Sequence, residues 1–222
     1  MNDIDAMAAT DVLAPSTADA RERLLEAAAA CFAARGFKDA SVREITAAAG
    51  CNVAAVNYHF GDKDSLYRAV FRQRLAELRT RRVGVLNALL ERESLSLEDV
   101  LRAFASAFLQ PLTEESRGQL TVRLIMRDMV EGHLPRQMIL DEMIRPTQQA
   151  LLAALHAACP RLPAKDALMC VHSLVAQLVH LLRVQELFAE GDAHDGEQLD
   201  LGQAVEHIVR FSAAGVREYA GP

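Results

Sequence analysis

The stretch from Asp39 to Arg68, DASVREITAAAGCNVAAVNYHFGDKDSLYR, decides how the rest of the chain is read. Ser41 stands just ahead of the apolar Val42 and Ile45, with Glu44 three places on. That is a capping box, in which the serine oxygen takes one orphan N–H of the first helical turn and the glutamate reaches back for another. A short helix is predicted from Val42 to Ala49, and Gly50 supplies the left-handed backbone that stops it. Asn52 caps a second helix from Val53 to about His59, Gly61 ends that one, and Asp62 caps a third that opens at Lys63. Two short helices across a tight glycine-bearing turn make the helix-turn-helix that enters a DNA groove. The polar Asn52, Asn57, His59 and Lys63 beside the apolar Ile45, Val56 and Phe60 favour that use over a turn buried in a helical core.

Upstream, Asp19 and Glu22 predict a start for the helix RERLLEAAAACFAARGF, with Leu25, Ala28, Ala29 and Phe32 on one face and Gly36 closing it. Packed across the helix-turn-helix pair, it gives a three-helix unit with Phe37, Val42, Ile45, Val56 and Phe60 as its core. Downstream, Leu66 to about Leu90 reads as one long helix whose Arg72, Arg74, Arg79, Arg81 and Arg82 form a solvated face. Ser94 or Ser96 caps the next helix, which Pro111 stops, and Thr113 caps the one after. A helical piece from Pro135, a kink or break at Pro146 and a continuation to Ala158 follow. The segment from Ala164 to Ala189 is apolar around nearly its whole circumference, so it must be buried on every side. The polar loop Gly191–Gly196 then leads to an amphipathic last helix, Leu199 to Tyr219.

With 222 residues, half of them apolar and 5% aromatic, the chain has the composition of a helical protein with a sizeable core. The net charge of −6 is unevenly spread. From Asp19 to Arg82 there are 12 basic and 8 acidic side chains, whereas residue 83 onward carries 12 basic and 19 acidic ones. A basic N-terminal third on an acidic remainder is the footprint of a DNA-binding unit joined to a unit with another task. Cys31, Cys51, Cys159 and Cys170 lack CxxC spacing and read as buried thiols in a reducing compartment, neither a disulfide frame nor a zinc site. Residues 1–18 are acidic, lack a signal-peptide core and read as a disordered lead-in. No apolar run approaches the ~20 residues of a membrane span, so a cytoplasmic protein is expected.

The run SVREITAAAGCNVAAVNYHFGDKDSLY is similar to the N-terminal domain of TetR-type transcriptional repressors, over about Arg21 to Phe71. The likeness lies in the capping residue, the Ala49-Gly50 turn, the Tyr58-His59-Phe60 signature and the lysine ahead of the fourth helix. Cys51 replaces the usual valine, and Ala55 stands where many members carry a phosphate-touching threonine. AAVNYHFG, with RLIMRDM and EMIRP further on, resembles the CecR-like branch. The resemblance implies an all-α fold: a lead-in over 1–18, a helix-turn-helix DNA-binding domain over 19–66, and a larger helical effector-binding and dimerisation domain over 67–222. It also implies a homodimeric repressor, released from a near-palindromic operator by a small molecule, with no cofactor and no membrane.

On the reader helix, Asn52, Val53, Ala54 and Asn57 sit where side chains reach base edges, and Asn52 serves equally well as a cap alone. Asn57 suits a bidentate pairing with adenine, Val53 and Ala54 a thymine methyl, and Arg43 a guanine or a phosphate. Tyr58, His59 and Lys63 resemble the family's phosphate anchors, with Ser41 adding a hydroxyl. Such contacts set register and affinity. Candidate effector-pocket residues are the polar positions on otherwise apolar helices, Arg123, Arg127, His133, His172, Gln177 and His180, with Phe104, Phe108, Met126 and Met129 as walls. The same side chains also suit core or interface roles. A dimer interface is expected along Val171, Leu174, Val175, Leu178, Leu182, Val205, Ile208 and Val209. No Ser/His/Asp set, phosphate loop, carboxylate pair or metal-ligand spacing speaks for an enzyme or a metal site. A constitutive DNA binder without an effector is the alternative.

Overall fold

A computed structural model describes residues 17–114, 116–190 and 200–221, so residues 1–16 of the lead-in expected over 1–18 and the loop Gly191–Gly196 lie outside the described residues, while Thr17 and Ala18 are already helical. Every element in them is helical: α1 (Thr17–Asp39), α2 (Val42–Ala48), α3 (Val53–Phe60), α4 (Lys63–Leu90), α5 (Leu97–Thr113), α6 (Arg117–Glu131), α7 (Arg136–Ile139), a π-helical turn (Leu140–Ile144), α8 (Arg145–Ala158), α9 (Ala164–Glu190) and α10 (Leu201–Ala220).

The start signals act as the local chemistry dictates. Ser41 accepts from Glu44 N at 3.1 Å while Glu44 Oε2 accepts from Ser41 N at 3.2 Å, closing the capping box. Asn52 Oδ1 accepts from Ala55 N at 3.0 Å, and Asp62 Oδ1 from Ser65 N at 2.7 Å. Gly50 takes φ +62 between α2 and α3. Ser96, not Ser94, caps α5, accepting from Asp99 N at 3.1 Å. Upstream, Asp19 is no cap, because α1 already runs from Thr17; Asp19 sits in the first turn and ion-pairs with Arg23.

Two cores form. One gathers Leu24, Ala28, Phe32, Ile45, Val56, Tyr67 and Phe71, all no more than 2% exposed, and takes in Leu124 of α6 and Leu134 beyond it. Phe37, Val42 and Phe60 pack half-buried against it. The other gathers Leu86, Leu101, Phe104, Phe108, Leu151, Leu155, Leu174, Leu178 and Val209 from α4, α5, α8, α9 and α10. The position 66/67 falls inside α4, whose first turns belong to the first core and whose last turns belong to the second.

Several expectations are corrected by this packing. Arg74 and Arg82 are not solvated but 1% and 4% exposed, because the long helix turns one side to each core. Arg74 Nη2 reaches Glu26 Oε2 at 2.6 Å. Pro111 does not stop α5, which runs on to Thr113. A proline in the last turn forfeits a single hydrogen bond of the ladder, and here its ring is buried. Thr113 is therefore the end of α5 and no cap for α6; its hydroxyl donates back to Gln110 O at 2.8 Å. Val171, Leu174, Leu178, Leu182, Val205, Ile208 and Val209, expected between two chains, are at most 9% exposed in this chain's own core, with Val175 half-buried against it. Ala164–Gln185 of α9 is long and apolar enough, with mean hydropathy 1.6, to cross a bilayer by composition, contrary to the expectation that no run reaches that length. Its inward side packs on α5, α8 and α10, so it is a core helix here, and its outward strip (Leu168, Met169, Ala176, His180) stays uncovered.

Candidate functional site

The α2-turn-α3 unit holds its apolar side, Ile45 and Val56, at 0% exposure against α1. That leaves Val53, Ala54, Asn57 and Tyr58 as one outward patch on α3, since the pairs 53/57 and 54/58, each four apart, stack along two adjoining rows. Val53 is 44% and Tyr58 79% exposed, an unusual display of apolar and aromatic surface on so short an element. Ser41 and Arg43 are also exposed, and among the described residues Arg43 has no acidic partner. Asn52 is engaged as the cap of α3. His59 is half-buried, edge-on to Tyr58 at 4.9 Å. Lys63 Nζ donates to Lys38 O at 3.3 Å and lies 4.5 Å from the Phe37 ring centroid. An ammonium has three donors, so this tether holds Lys63 beside the patch with donors to spare.

A second feature lies between the two cores. A cavity of about 370 Å³ is walled by α4, α5, α6, the π-helical turn, α8 and α9. Phe104, Phe108, Met126, Met129 and His172 line it, as expected from sequence. The other five candidates point elsewhere. Arg123 is exposed. Arg127 donates from Nε to Ala33 O at 3.1 Å and from Nη2 to Ala34 O at 3.2 Å, gripping the end of α1. His133 stacks on Phe37 at 3.6 Å and sits 2.8 Å from Asp64 Oδ1. Gln177 bridges α9 and α10 through Ser173 O and Ser212 Oγ, and His180 faces outward on α9. Polar residues on apolar helices proved poor guides to the cavity, because they also serve where two helices meet.

Sequence reasoning missed five polar residues on the cavity wall: Arg82, Thr121, Asp128, Thr147 and Gln148. Arg82 Nη1 reaches only the Met143 sulfur, at 3.7 Å, and its guanidinium carbon lies 3.8 Å from the centroid of the Phe108 ring. Burial, with the Arg81 charge adding to it, pulls its pKa down to about 9. Arg82 Nε and Thr147 Oγ1 are buried without any hydrogen-bond partner. Asp128 Oδ1, by contrast, accepts from Tyr67 Oη at 2.9 Å and from Leu134 N at 3.1 Å. Burial pushes the Tyr67 phenol up, with Asp128 adding to it, so it stays a donor. No sequence signal marked Arg82, since five arginines share that helix segment and only packing distinguishes them.

The cavity is joined to the helix-turn-helix unit by α6. Leu124 enters the first core and Asp128 meets Tyr67, while Val122, Ile125, Met126 and Met129 of the same helix line the cavity. One turn on, Glu131 Oε2 accepts from Phe37 N at 3.2 Å and covers Gly36, whose φ of +77 and ψ of 177 break α1. A Cβ at Gly36 would stand 2.2 Å from Glu131 Oε1. Among the described residues no three His, Cys, Asp or Glu side chains gather as a metal site, and the four cysteines are free and half-buried.

Residues 24–70 match the family model for bacterial regulatory proteins of the tetR family, and residues 102–215 match the tetracyclin repressor-like C-terminal domain. Among curated proteins, the chain is 38% identical over 60 residues to the HTH-type transcriptional repressor AcnR of Corynebacterium glutamicum, covering 27% of this chain and 32% of AcnR. It is 48% identical over 50 residues to the HTH-type transcriptional dual regulator CecR of Shigella flexneri, covering 22% of each. The matched segments thus span a third or less of the length of those relatives. Among solved structures, FadR of Bacillus subtilis in complex with stearoyl-CoA superimposes with a TM-score of 0.69 at 13% identity, over 88% of this chain and 99% of that one. The TetR-family regulator PfmR of Thermus thermophilus does so with 0.60 at 18%, over 89% and 95%. These likenesses are of fold.

Proposed function

The chain belongs to the tetR family of bacterial regulatory proteins, whose members bind operator DNA, and on that premise we propose that it is a cytoplasmic, homodimeric repressor of transcription that a small molecule in the cavity releases from its operator. The observation that carries the proposal is α6, which walls the cavity with one side and fastens α1, Phe37 and Tyr67 with the other. A ligand that displaces α6 therefore displaces the unit that presents α3. In this reading α3 enters the major groove, Asn57 pairs with an adenine, and Val53 and Ala54 meet thymine methyls. Arg43, Ser41, Tyr58, His59 and Lys63 contact phosphates or a neighbouring guanine and fix the register.

Pairing of two chains uses the outward strips of α9 and α10 in place of the inward positions expected from sequence. Leu168, Met169, Phe211 and Tyr219 are 37%, 58%, 64% and 55% exposed, and the small Ala176, Ala214 and Gly215 lie between them. α9 and α10 pack side by side, so their strips form one surface. Isologous pairing there presents two reader helices a helical turn or a multiple of it apart, which calls for a near-palindromic operator. Selection of bound duplexes from a random pool tests the proposal. A near-palindrome is expected, and Asn57→Ala should lose about 1–3 kcal/mol at one base position per half-site. A chain that sediments as a single subunit and selects no sequence would refute it, and a selected operator held regardless of any ligand would leave a constitutive regulator.

A further inference from the structure

We propose that the cavity is built for an amphipathic carboxylate, whose head is held by Arg82 and Thr147 and whose apolar body fills the space toward Phe104 and Met126. The proposal rests on the ligand-release reading above and gives its ligand a chemical class.

The reasoning starts from the cost of burying charge. An isolated cation loses its hydration in a protein interior, and buried charges are normally paired. Arg82 is 4% exposed, yet no carboxylate lies within ion-pair distance of it among the described residues. Its neighbour Arg81 pairs with Glu114 at 2.8 Å, Arg79 with Glu142 at 3.0 Å and Arg74 with Glu26 at 2.6 Å. Arg82 alone on this stretch is left with a thioether and an aromatic face. The ring of Phe108 lies against the guanidinium, Nη1 reaches the Met143 sulfur, and along the other edge Nε is left without a partner. That edge presents parallel N–H groups matched to the two oxygens of a carboxylate.

A second orphan lies on the same cavity wall, contributed by α8. Thr147 Oγ1 is buried without a partner on the wall of the same cavity. Met143, which touches Arg82, precedes Thr147 by four residues along the helical segment, so the two positions are neighbours on one face. In the proposed complex the two oxygens of one carboxylate head supply a partner to each. Most of the remaining wall is side chains of Leu, Ile, Val, Met and Phe, which calls for a hydrocarbon body, and the one acidic lining residue, Asp128, is engaged by Tyr67 and Leu134 N. The volume of about 370 Å³ lies toward the small end of the range for ligand pockets, roughly 300–1,000 Å³. Medium-chain fatty acids and arylalkanoic acids have the required shape and charge.

The chain contains no Trp, so the test uses calorimetric titration of the full-length protein with decanoate and with decanol, on wild type, Arg82→Met and Thr147→Val. Decanoate should bind wild type at least tenfold more tightly than decanol. Arg82→Met should lose roughly ten- to a hundredfold of the decanoate affinity, in line with a lost charge-assisted pair, while keeping or gaining affinity for decanol. Thr147→Val should lose a smaller factor for decanoate only. Retained decanol binding shows that the variants are folded. Equal binding of both probes to wild type, no decanoate binding, or an Arg82→Met affinity for decanoate equal to wild type would each overturn the proposal and leave buried water as the partner of the two orphans. Release of the selected operator is read on the same samples. Decanoate that binds through Arg82 without releasing DNA would leave the anion site standing and retire the ligand-release reading instead.

Discussion

Replacing Tyr67 with Phe removes one oxygen atom and tests the joint between the cavity and the DNA-facing unit. Tyr67 is 2% exposed and Asp128 4%, and their hydrogen bond is 2.9 Å long. The variant keeps the ring, which packs edge-on to Phe32 at 4.8 Å, so no cavity of consequence opens. The loss is that of a buried hydrogen bond to an acidic side chain, about 1.5–3 kcal/mol. For a chain of this length, 1 kcal/mol moves the melting temperature by about 2–4 °C. A fall of roughly 3–12 °C is therefore expected by thermal unfolding followed at the helical circular-dichroism band. Asp128→Ala should cost more, since it also strands Leu134 N, which donates to the same oxygen at 3.1 Å. In the Asp128→Ala background, Tyr67→Phe should cost almost nothing. A coupling energy below about 0.5 kcal/mol, the scatter expected of independent sites, would show that the two groups do not act together. The claim that α6 communicates with α4 through this pair would then be lost.

Gly36→Ala should destabilise by roughly 1–3 kcal/mol through the backbone alone, because φ +77 with ψ 177 suits only glycine; the new methyl also drives Glu131 off Phe37 N. Denaturant titration checks this, and a change within about 0.5 kcal/mol of zero would refute it. Arg82→Met should stabilise the unliganded protein by about 1–4 kcal/mol, as when a buried charge gives way to an apolar isostere; a lower melting temperature would mean that the cation has a partner. The backbone N–H of Ser65 holds the Asp62 carboxyl below its ordinary range. A group with a depressed folded pKa stabilises above its unfolded pKa, and that contribution fades as pH falls through the folded value. Asp62→Asn keeps an N-cap without a titrating group, so its stability should fall less steeply than that of wild type between about pH 5 and pH 2; parallel curves would exclude the cap as a source of acid sensitivity.

The helix-turn-helix was legible because its information is local. Ser41 with Glu44, Asn52, Asp62 and the glycines at 50 and 61 act within three or four residues of themselves, and a capping hydrogen bond forms wherever the chain turns helical. The outer patch on α3 followed, since two small cores cannot bury all sides of an eight-residue helix. The cavity was less legible, because it is defined by what long helices do not fill. Five arginines between positions 72 and 82 look alike in sequence. Only the crossing of α4 with α1, α5 and α8 turns Arg74 to Glu26, Arg79 to Glu142, and Arg82 into the interior. Pro111 misled for a related reason: a helix whose apolar side is held by a core tolerates the one missing hydrogen bond. The expected interface positions on α9 and α10 failed because a circumference of apolar residues does not say which half the chain's own core will take.

On the proposed reading, the arrangement gives a cavity between two cores a route by which to act on the DNA-facing unit. α4 has 28 residues, about 42 Å of helix at 1.5 Å per residue. Its first turns place Leu66, Tyr67 and Phe71 in the first core, its last turns place Leu86 and Leu89 in the second, and Phe71, Leu75, Leu78 and Arg82 face the cavity between them. Close-packed cores resist deformation, so a ligand that wedges the middle of α4 away from α6 is answered by rotation of one core against the other. Among the groups that oppose such a rotation are the Tyr67–Asp128 bond, the Arg127 grip on Ala33 and Ala34, and Glu131 on Phe37 N, all of which tie α6 to the first core. An effector that draws Arg82 toward its own anionic head acts on the same helix some four turns from Tyr67. Ligand chemistry at one end of α4 and the angle of the reader at the other are then properties of a single stiff element.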